Sequence, residues 1–463
     1  MKTNKSVPHI ILTEEPLSKK VSKGVLWVTA GAICTKGLYF ACSIVLARLL
    51  EPEDFGLMAV AMAIVTFSQG TTQTGFESAL IQKQDNPEDY LNTAWTFELS
   101  RYAILFILFF FAAPVIAIFF TEQKAVPILR VISLTMLFQG LRNIGVVYFR
   151  KNLDFKKQFV LEVVPVLANI CVVLPLAFTL RNVWALVWAS ITASVATCCM
   201  SYVMHPYRPR LDFNVERAKN LFNFGRWILG SSIIVMIREQ GLTIFIGKFL
   251  GIPVLGFFNR ASVFSMMIFQ QLIEIVWKVG YPAYSQLQND PKRFKQAYLK
   301  TLRLLTLIGI PMAGGLFVLS ENFVHLFLTD KWLPIVPIMQ IMCLTAILNF
   351  LNTPAGIAFQ AMGRPEIGTK IAALGVIVLV ITIYPLAIRF GVIGVAWSLF
   401  LSTLITSPIM WFMSIKTMHI PWIEFSKLVL VPFLSTLIMS IVIQGVNKHF
   451  FLKLTLYLFC ARL

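Results

Sequence analysis

The chain is poor in charge and in histidine. Only 13% of its 463 residues are charged while 57% are hydrophobic, and the mean hydropathy is +0.75. A water-soluble domain needs a charged surface around its core, so this balance excludes one and makes lipid the solvent for most of the chain. The five histidines, His9, His205, His325, His419 and His449, are scattered. No glycine loop precedes a lysine as a phosphate cradle requires, and no spacing suits a metal. The sequence therefore carries no enzyme motif above background, implies no cofactor, and offers nothing for ATP coupling. The seven cysteines (Cys34, Cys42, Cys171, Cys198, Cys199, Cys343 and Cys460) fall within apolar segments and read as small packing residues. Residues 1–20 hold Lys2, Lys5, Glu14, Glu15, Lys19 and Lys20 with no continuous apolar core, so they read as a cytosolic arm and not as a cleavable signal peptide.

Apolar segments long enough to cross a bilayer fill the remainder, since a helix needs about 20 residues for the hydrocarbon. They are expected near 25–48, 55–78, 102–120, 126–148, 159–179, 183–204, 222–248, 254–279, 304–327, 333–360, 368–388, 392–415, 423–444 and 449–461. The fold class is thus an all-α polytopic membrane protein of about 12 to 14 transmembrane helices. Basic residues cluster in alternate loops: Arg150, Lys151, Lys156 and Lys157; then Arg208, Arg210, Arg217 and Lys219; then Lys292, Arg293, Lys295 and Lys300. The intervening loops are short, with about one basic residue each. The positive-inside rule puts the basic loops and the N-terminus in the cytoplasm of an inner membrane. The net charge of +18 then reads as topogenic and not as a nucleic-acid surface.

An internal repeat divides the chain. A shift of 200 superposes Trp27 on Trp227, Ile33 on Ile233, Ile44 on Ile244, Arg48 on Lys248, Leu50 on Leu250 and Gly56 on Gly256. A shift of 210 superposes Pro127, Ile128, Leu134, Thr135 and Phe149 on Pro337, Ile338, Leu344, Thr345 and Phe359. Halves of even span number keep the same orientation, so the pseudo-twofold axis runs along the membrane normal, with substrate between the halves. The expected divisions are an arm over 1–20, a six-helix lobe over 21–204, a basic linker over 205–221, a second six-helix lobe over 222–415 and extra helices over 423–463.

Charges inside expected spans cost about 2.5–3.5 kcal/mol each if they face lipid, so they must face protein or water. They are Lys36, Arg130, Arg142, Arg238, Glu239, Arg260 and Glu274. Cations outnumber acids, which suits a cavity holding an anion such as pyrophosphate, with Lys36 and Arg238 contributed by corresponding spans. Glu77, Glu239 and Glu274 are the acids that could bind a coupling proton or sodium ion. Arg48, Lys248 and Lys278 lie near span ends, where local pairing or snorkelling accounts for them. Gln69, Thr72 and Gln73, beside Gly70 and Gly75, give the second span a polar face. Asn349 and Asn352, beside Pro354 and Gly356, do so in the tenth. Such faces can meet sugar hydroxyls where broken helices line a cavity, or bond helix to helix.

Four segments carry a family resemblance: Ala47-Arg48-Leu49-Leu50 through Asp54-Phe55-Gly56-Leu57, Ala79-Leu80-Ile81-Gln82-Lys83, Asn152-Leu153-Asp154-Phe155-Lys156, and Lys331-Trp332-Leu333-Pro334. On these the chain resembles the Wzx-type polysaccharide flippases of the MOP superfamily, exporters of O-antigen, colanic-acid-like and teichuronic-acid-like repeat units. The resemblance implies two helical bundles, alternating access and a cationic central cavity. It also implies an undecaprenyl-pyrophosphate-linked oligosaccharide as cargo drawn from membrane lipid, with room for a glycan polymerase or chain-length partner beyond it. Two rivals remain: a cation-coupled drug or metabolite exporter, which would need an essential acid such as Glu77 or Glu239, and a membrane polymerase or acyltransferase, which would need a large external loop or an in-membrane histidine.

Overall fold

A computed structural model describes residues 17–77, 80, 88–151, 154–217, 219, 236 and 239–460. Among them there is no strand, and the chain runs through thirteen helices and two 3₁₀ turns: α1 (Leu17–Leu49), α2 (Pro52–Thr71), α3 (Glu88–Phe120), α4 (Ala125–Leu141), α5 (Val147–Lys151), α6 (Phe155–Leu180), α7 (Trp184–Met204), α8 (239–249), α9 (Ile252–Leu287), α10 (Pro291–Phe327), α11 (Val336–Ala361), α12 (Pro365–Met418) and α13 (Trp422–Cys460). Seven are long and apolar enough to cross a membrane. An eighth forms if the segments Ile252–Met266 and Phe269–Leu287, bent by 51°, make one span. Their outward surfaces carry exposed Phe111, Ile118, Ile388 and Ile441, a surface that only lipid can solvate. The chain is a multi-pass membrane protein.

Local chemistry sets the ends. Pro52 opens α2 with Glu53 and Asp54 in the first turn, and the Asp54 carboxylate accepts the Glu51 N–H at 2.9 Å. Asp154 and Asp290 cap α6 and α10 by accepting the N–H of Lys157 and Arg293. Gly251, at φ +97°, makes the turn between α8 and α9.

Several boundaries differ from the sequence reading. Helix α1 begins by Leu17, inside the expected arm, whose residues 1–16 lie outside the described part. Helix α3 begins at Glu88, well before residue 102, because Glu98 and Arg101 neutralise each other at i, i+3 on one helical face. Helix α11 runs unbroken through Pro354, since losing one backbone hydrogen bond is tolerated where neighbouring helices pack. The expected thirteenth and fourteenth spans form one helix, α13: the helix breaker among the four residues between them is Gly445, which costs a helix about 1 kcal/mol and does not stop it. Helix α12 is two spans. Gly391 leaves helical geometry at φ 59° and ψ −138°. Ser402 Oγ then donates to Gly375 O at 2.7 Å, across 27 residues that would span about 40 Å in a straight helix. The two arms are therefore antiparallel.

Packing is dense within 17–204 and within 252–460, and the halves meet chiefly through α2 and α9, with a smaller contact of α1 on α9. The repeat is visible in burial: Ile128 and Ile338, Thr135 and Thr345, and Phe149 and Phe359 are all buried. Trp27 side-chain detail, and Trp227 and Ile233 altogether, fall outside the described residues.

Candidate functional site

The halves meet most tightly at one end of the molecule, which we term the seam. A Cβ on Gly56 would lie 2.0 Å from Ile252 O, and one on Gly256 would lie 1.8 Å from Pro52 O. Each glycine touches the repeat-mate of the residue its own repeat-mate touches, the reciprocity expected on a twofold axis. Basic side chains repeat the pattern. Arg48 donates from Nε and Nη2 to Phe327 O and Leu326 O, both at 2.7 Å, at the C-terminus of α10. Lys248 donates to Phe119 O at 2.6 Å, at the C-terminus of α3. Cations suit these positions because the last carbonyls of a helix are unpaired and lie at its negative pole. Arg48 and Lys248 thus tie one half to the other.

Trp332 completes the seam. It is fully buried, donates from Nε1 to Ala47 O at 2.7 Å, and stacks edge-on with Phe55 and Phe257. Lys331 reaches Leu50 O at 2.8 Å and Glu51 at 3.1 Å. Arg260 is held here too: it donates to Ser43 Oγ at 2.8 Å, bonds Asn259 and lies 4.3 Å over the Phe55 ring. It packs at the seam.

About 20 Å along α1 from the seam, the halves carry charge where they face each other. Lys36 Nζ lies 3.0 Å from Glu274 Oε2, and Lys278 Nζ lies 2.8 Å from Glu274 Oε1. The three side chains remain 37%, 41% and 49% exposed. Such exposure at mid-span requires water beside them. Two ammonium groups share one carboxylate, leaving a net charge of +1. Lys278 is thus locally paired and does not snorkel, and Glu274 bridges the halves through Lys36. Arg238 lies outside the described residues.

A cavity of about 420 Å³ opens in the first half at the end away from the seam, where α2 and α4 finish and α3 begins. Gln69, Gln73, Glu77 and Arg142, all singled out from sequence, line it, together with Trp95, Glu98, Arg101, Tyr102 and Gln139, which were not. Met236 from the other half closes one wall against Gly70, whose added Cβ would lie 2.4 Å from its side chain. Arg101 bonds Glu98 at 3.0 Å, Thr72 Oγ1 at 3.0 Å and Gln69 O at 3.3 Å. Thr74 donates to the other Glu98 oxygen. Thr72 is consumed in this network, with its hydroxyl donated to Ser68 O. Arg142 and Glu77 pair loosely at 3.8 Å. The missed pair Glu98 and Arg101 stood before the expected start of the third span; opposite charges three residues apart were its available signal.

The other candidates lie elsewhere. Arg130 packs 5.2 Å over Phe110 between α3 and α4, its Nε buried without a partner. Asn352 donates to Ser407 Oγ at 2.9 Å, a helix-to-helix bond within the second half, with Asn349 one turn before it and half-buried. Glu239 is exposed at the start of α8. No group of three potential metal ligands occurs among the described residues.

Known proteins resemble the chain along most of its length. The family described as "Polysaccharide biosynthesis protein" matches residues 45–337. The lipopolysaccharide biosynthesis protein WzxC of Escherichia coli is 25% identical, over 86% of this chain and 82% of its own. The teichuronic acid biosynthesis protein TuaB of Bacillus subtilis is 22% identical, over 94% and 91%. The succinoglycan biosynthesis transport protein ExoT of Rhizobium meliloti is 26% identical, over 71% and 66%. Among solved structures, the lipid II flippase MurJ in its inward closed conformation superposes with a TM-score of 0.75 at 16% identity, covering 91% of this chain and 93% of that one. An inward-facing multidrug resistance MATE family transporter of the MOP superfamily gives 0.63 at 16% identity, covering 83% and 94%. The helices thus share the fold of these two solved structures, and the chain is a member of the polysaccharide biosynthesis protein family.

Proposed function

We propose that this chain is a flippase that carries an undecaprenyl-pyrophosphate-linked oligosaccharide across the bacterial cytoplasmic membrane for polysaccharide synthesis, without chemical change to the cargo. The observation that carries the proposal is the exposed trio Lys36, Glu274 and Lys278 between the halves. A pyrophosphate brings more negative charge than one carboxylate, so it competes for both ammonium groups and displaces Glu274. Displacement breaks a bond between the halves, and this is how cargo binding biases the rocking motion. Arg238 joins the same site by its depth and repeat register. The freed Glu274 is the group best placed to take up a coupling proton or sodium ion, ahead of Glu77 and Glu239.

The rocking units are 21–204 and 222–415, joined by the linker 205–221, with 423–463 accessory to them. The basic loops lie at the end away from the seam, so the positive-inside rule makes that end, and the N-terminus, cytoplasmic. On that orientation the seam at Gly56 and Gly256 closes the outward end. The names of the relatives support a glycan cargo, and a polymerase or chain-length partner would receive it outside. The drug-exporter alternative is less well supported, because Glu274 is occupied by two lysines and not open to a cationic drug.

The test is transfer of a fluorescent undecaprenyl-pyrophosphate oligosaccharide across proteoliposomes holding the purified chain, with Lys36→Ala and Arg238→Ala in parallel. We expect protein-dependent transfer that falls at least about tenfold in each variant. Transfer by both variants at the unsubstituted rate would remove the two cations from the site. No transfer of any glycan under proton or sodium gradients would overturn the flippase itself.

A further inference from the structure

The cavity in the first half has features that the pyrophosphate site lacks. Its four charged side chains form two pairs, Glu98 with Arg101 and Glu77 with Arg142, so the lining has no net charge. The first pair is saturated by its neighbours. Among the described residues the side-chain amides of Gln69 and Gln139 have no partner in the chain, although both line the cavity. Trp95 lines it as well, is nine-tenths buried, and its Nε1 is a buried donor without an acceptor. A flat indole beside amides that both donate and accept is the surface a sugar ring requires: C–H groups pack on the ring and hydroxyls meet the amides. The volume of about 420 Å³ lies within the range of small-molecule pockets.

We infer that this cavity is a glycan subsite that receives an uncharged sugar ring of the cargo on Trp95, read by Gln69 and Gln139, and separate from the cationic trio that holds the pyrophosphate. The inference rests on the flippase reading for its cargo. A carboxylated sugar is disfavoured because it would enter beside Glu77 and Glu98, with Arg101 already committed. Met236, contributed by the other half, covers the cavity, so rocking of the halves would alter the subsite as well as the trio.

Two measurements on the full chain separate this inference from the reading beneath it. The first is binding of soluble neutral and uronic-acid-containing oligosaccharides to the detergent-purified protein by titration calorimetry. The neutral glycan is expected to bind saturably. Binding should weaken about tenfold for each of Gln69→Ala and Gln139→Ala, roughly one hydrogen bond apiece, and survive Lys36→Ala. Trp95→Phe keeps an aromatic platform without the N–H and should lose less than Trp95→Ala. The second is proteoliposome transfer of undecaprenyl pyrophosphate carrying either a neutral tetrasaccharide or a single sugar. The two glutamine variants should raise the half-saturating concentration for the tetrasaccharide, whereas Lys36→Ala should impair both cargoes. Binding without transfer would retain the subsite and refute the flippase. Transfer with no neutral-glycan binding, glutamine variants equal to the parent, or tighter binding of the uronic-acid glycan would each overturn the subsite.

Discussion

The two ends of the interface between the halves are built on different principles. At the seam the fit is one of shape: two glycines press against backbone, an indole is fully buried, and Arg48 and Lys248 are spent on helix-end carbonyls. Away from it the contact is one of charge, with Lys36, Glu274 and Lys278 wet and in excess. A shape contact is undone by one methyl group and has no soluble competitor. A charge contact tolerates substitution but can be exchanged for a ligand. A transporter uses both if one end must stay shut until cargo arrives at the other.

The largest effect should come from Trp332→Ala, which empties a fully buried site shared by both halves. Loss of about 3–5 kcal/mol is expected in thermal or denaturant unfolding. Gly256→Ala should follow, because its Cβ would fall 1.8 Å from Pro52 O. Overpacking of about 1–3 kcal/mol against backbone should separate the seam, read as a longer distance between spin labels on Gln123→Cys and Thr329→Cys. An unchanged distance would mean that the seam does not depend on the glycines. Arg48→Ala and Lys248→Ala should each weaken seam closure by about 1 kcal/mol. Because the two sites are reciprocal, their effects on the label distance should match; a marked inequality would break the symmetry argument.

Lys36→Ala should change stability by less than about 1 kcal/mol, since its partner is two-fifths exposed, while reducing transfer as described above. That split between stability and transfer sharpens the contrast with the seam. The smallest effect concerns the linker. His205 titrates below the ordinary histidine range because it is buried and then because Lys157 and Arg208 lie near. Its neutral Nδ1 accepts the Tyr207 N–H at 3.2 Å. With the folded value lowered, the unfolded segment takes the proton first, so support for the neutral form is lost as pH falls below about 6.5. The protection of the Tyr207 and Asp212 amides, measured against their intrinsic exchange rates, should fall between about pH 7.5 and 5.5, and His205→Gln should remove that dependence.

Some of the site was legible before the fold. Lys36 and Glu274 stood out because a charge within an apolar span has few acceptable environments, and the pairing of Gly56 with Gly256 was visible as a repeat. Arg48 and Lys248 could be read only as end charges. Their role depends on which helix ends the opposite half brings near, and hydropathy carries no such information. Asn352 shows the converse: its polar character left a sugar contact and a helix-to-helix bond both open, and only the packed structure shows its amide donating to Ser407 on a neighbouring helix. Glu98 and Arg101 were passed over because a hydropathy window treats two charges as a boundary, although together they behave as a neutral pair.

The sequence by itself determined that lipid is the solvent, where most helices run, that the chain repeats, and which family it resembles. These follow from composition, helical period and short motifs, all of which are local or additive along the chain. The tertiary structure alone decided which end is closed, that Lys36 meets Glu274 across 238 residues, and that Trp95 and two glutamines share a cavity. Those outcomes depend on how helix surfaces of similar hydrophobicity fit one another, and shape complementarity does not exist until the helices are packed.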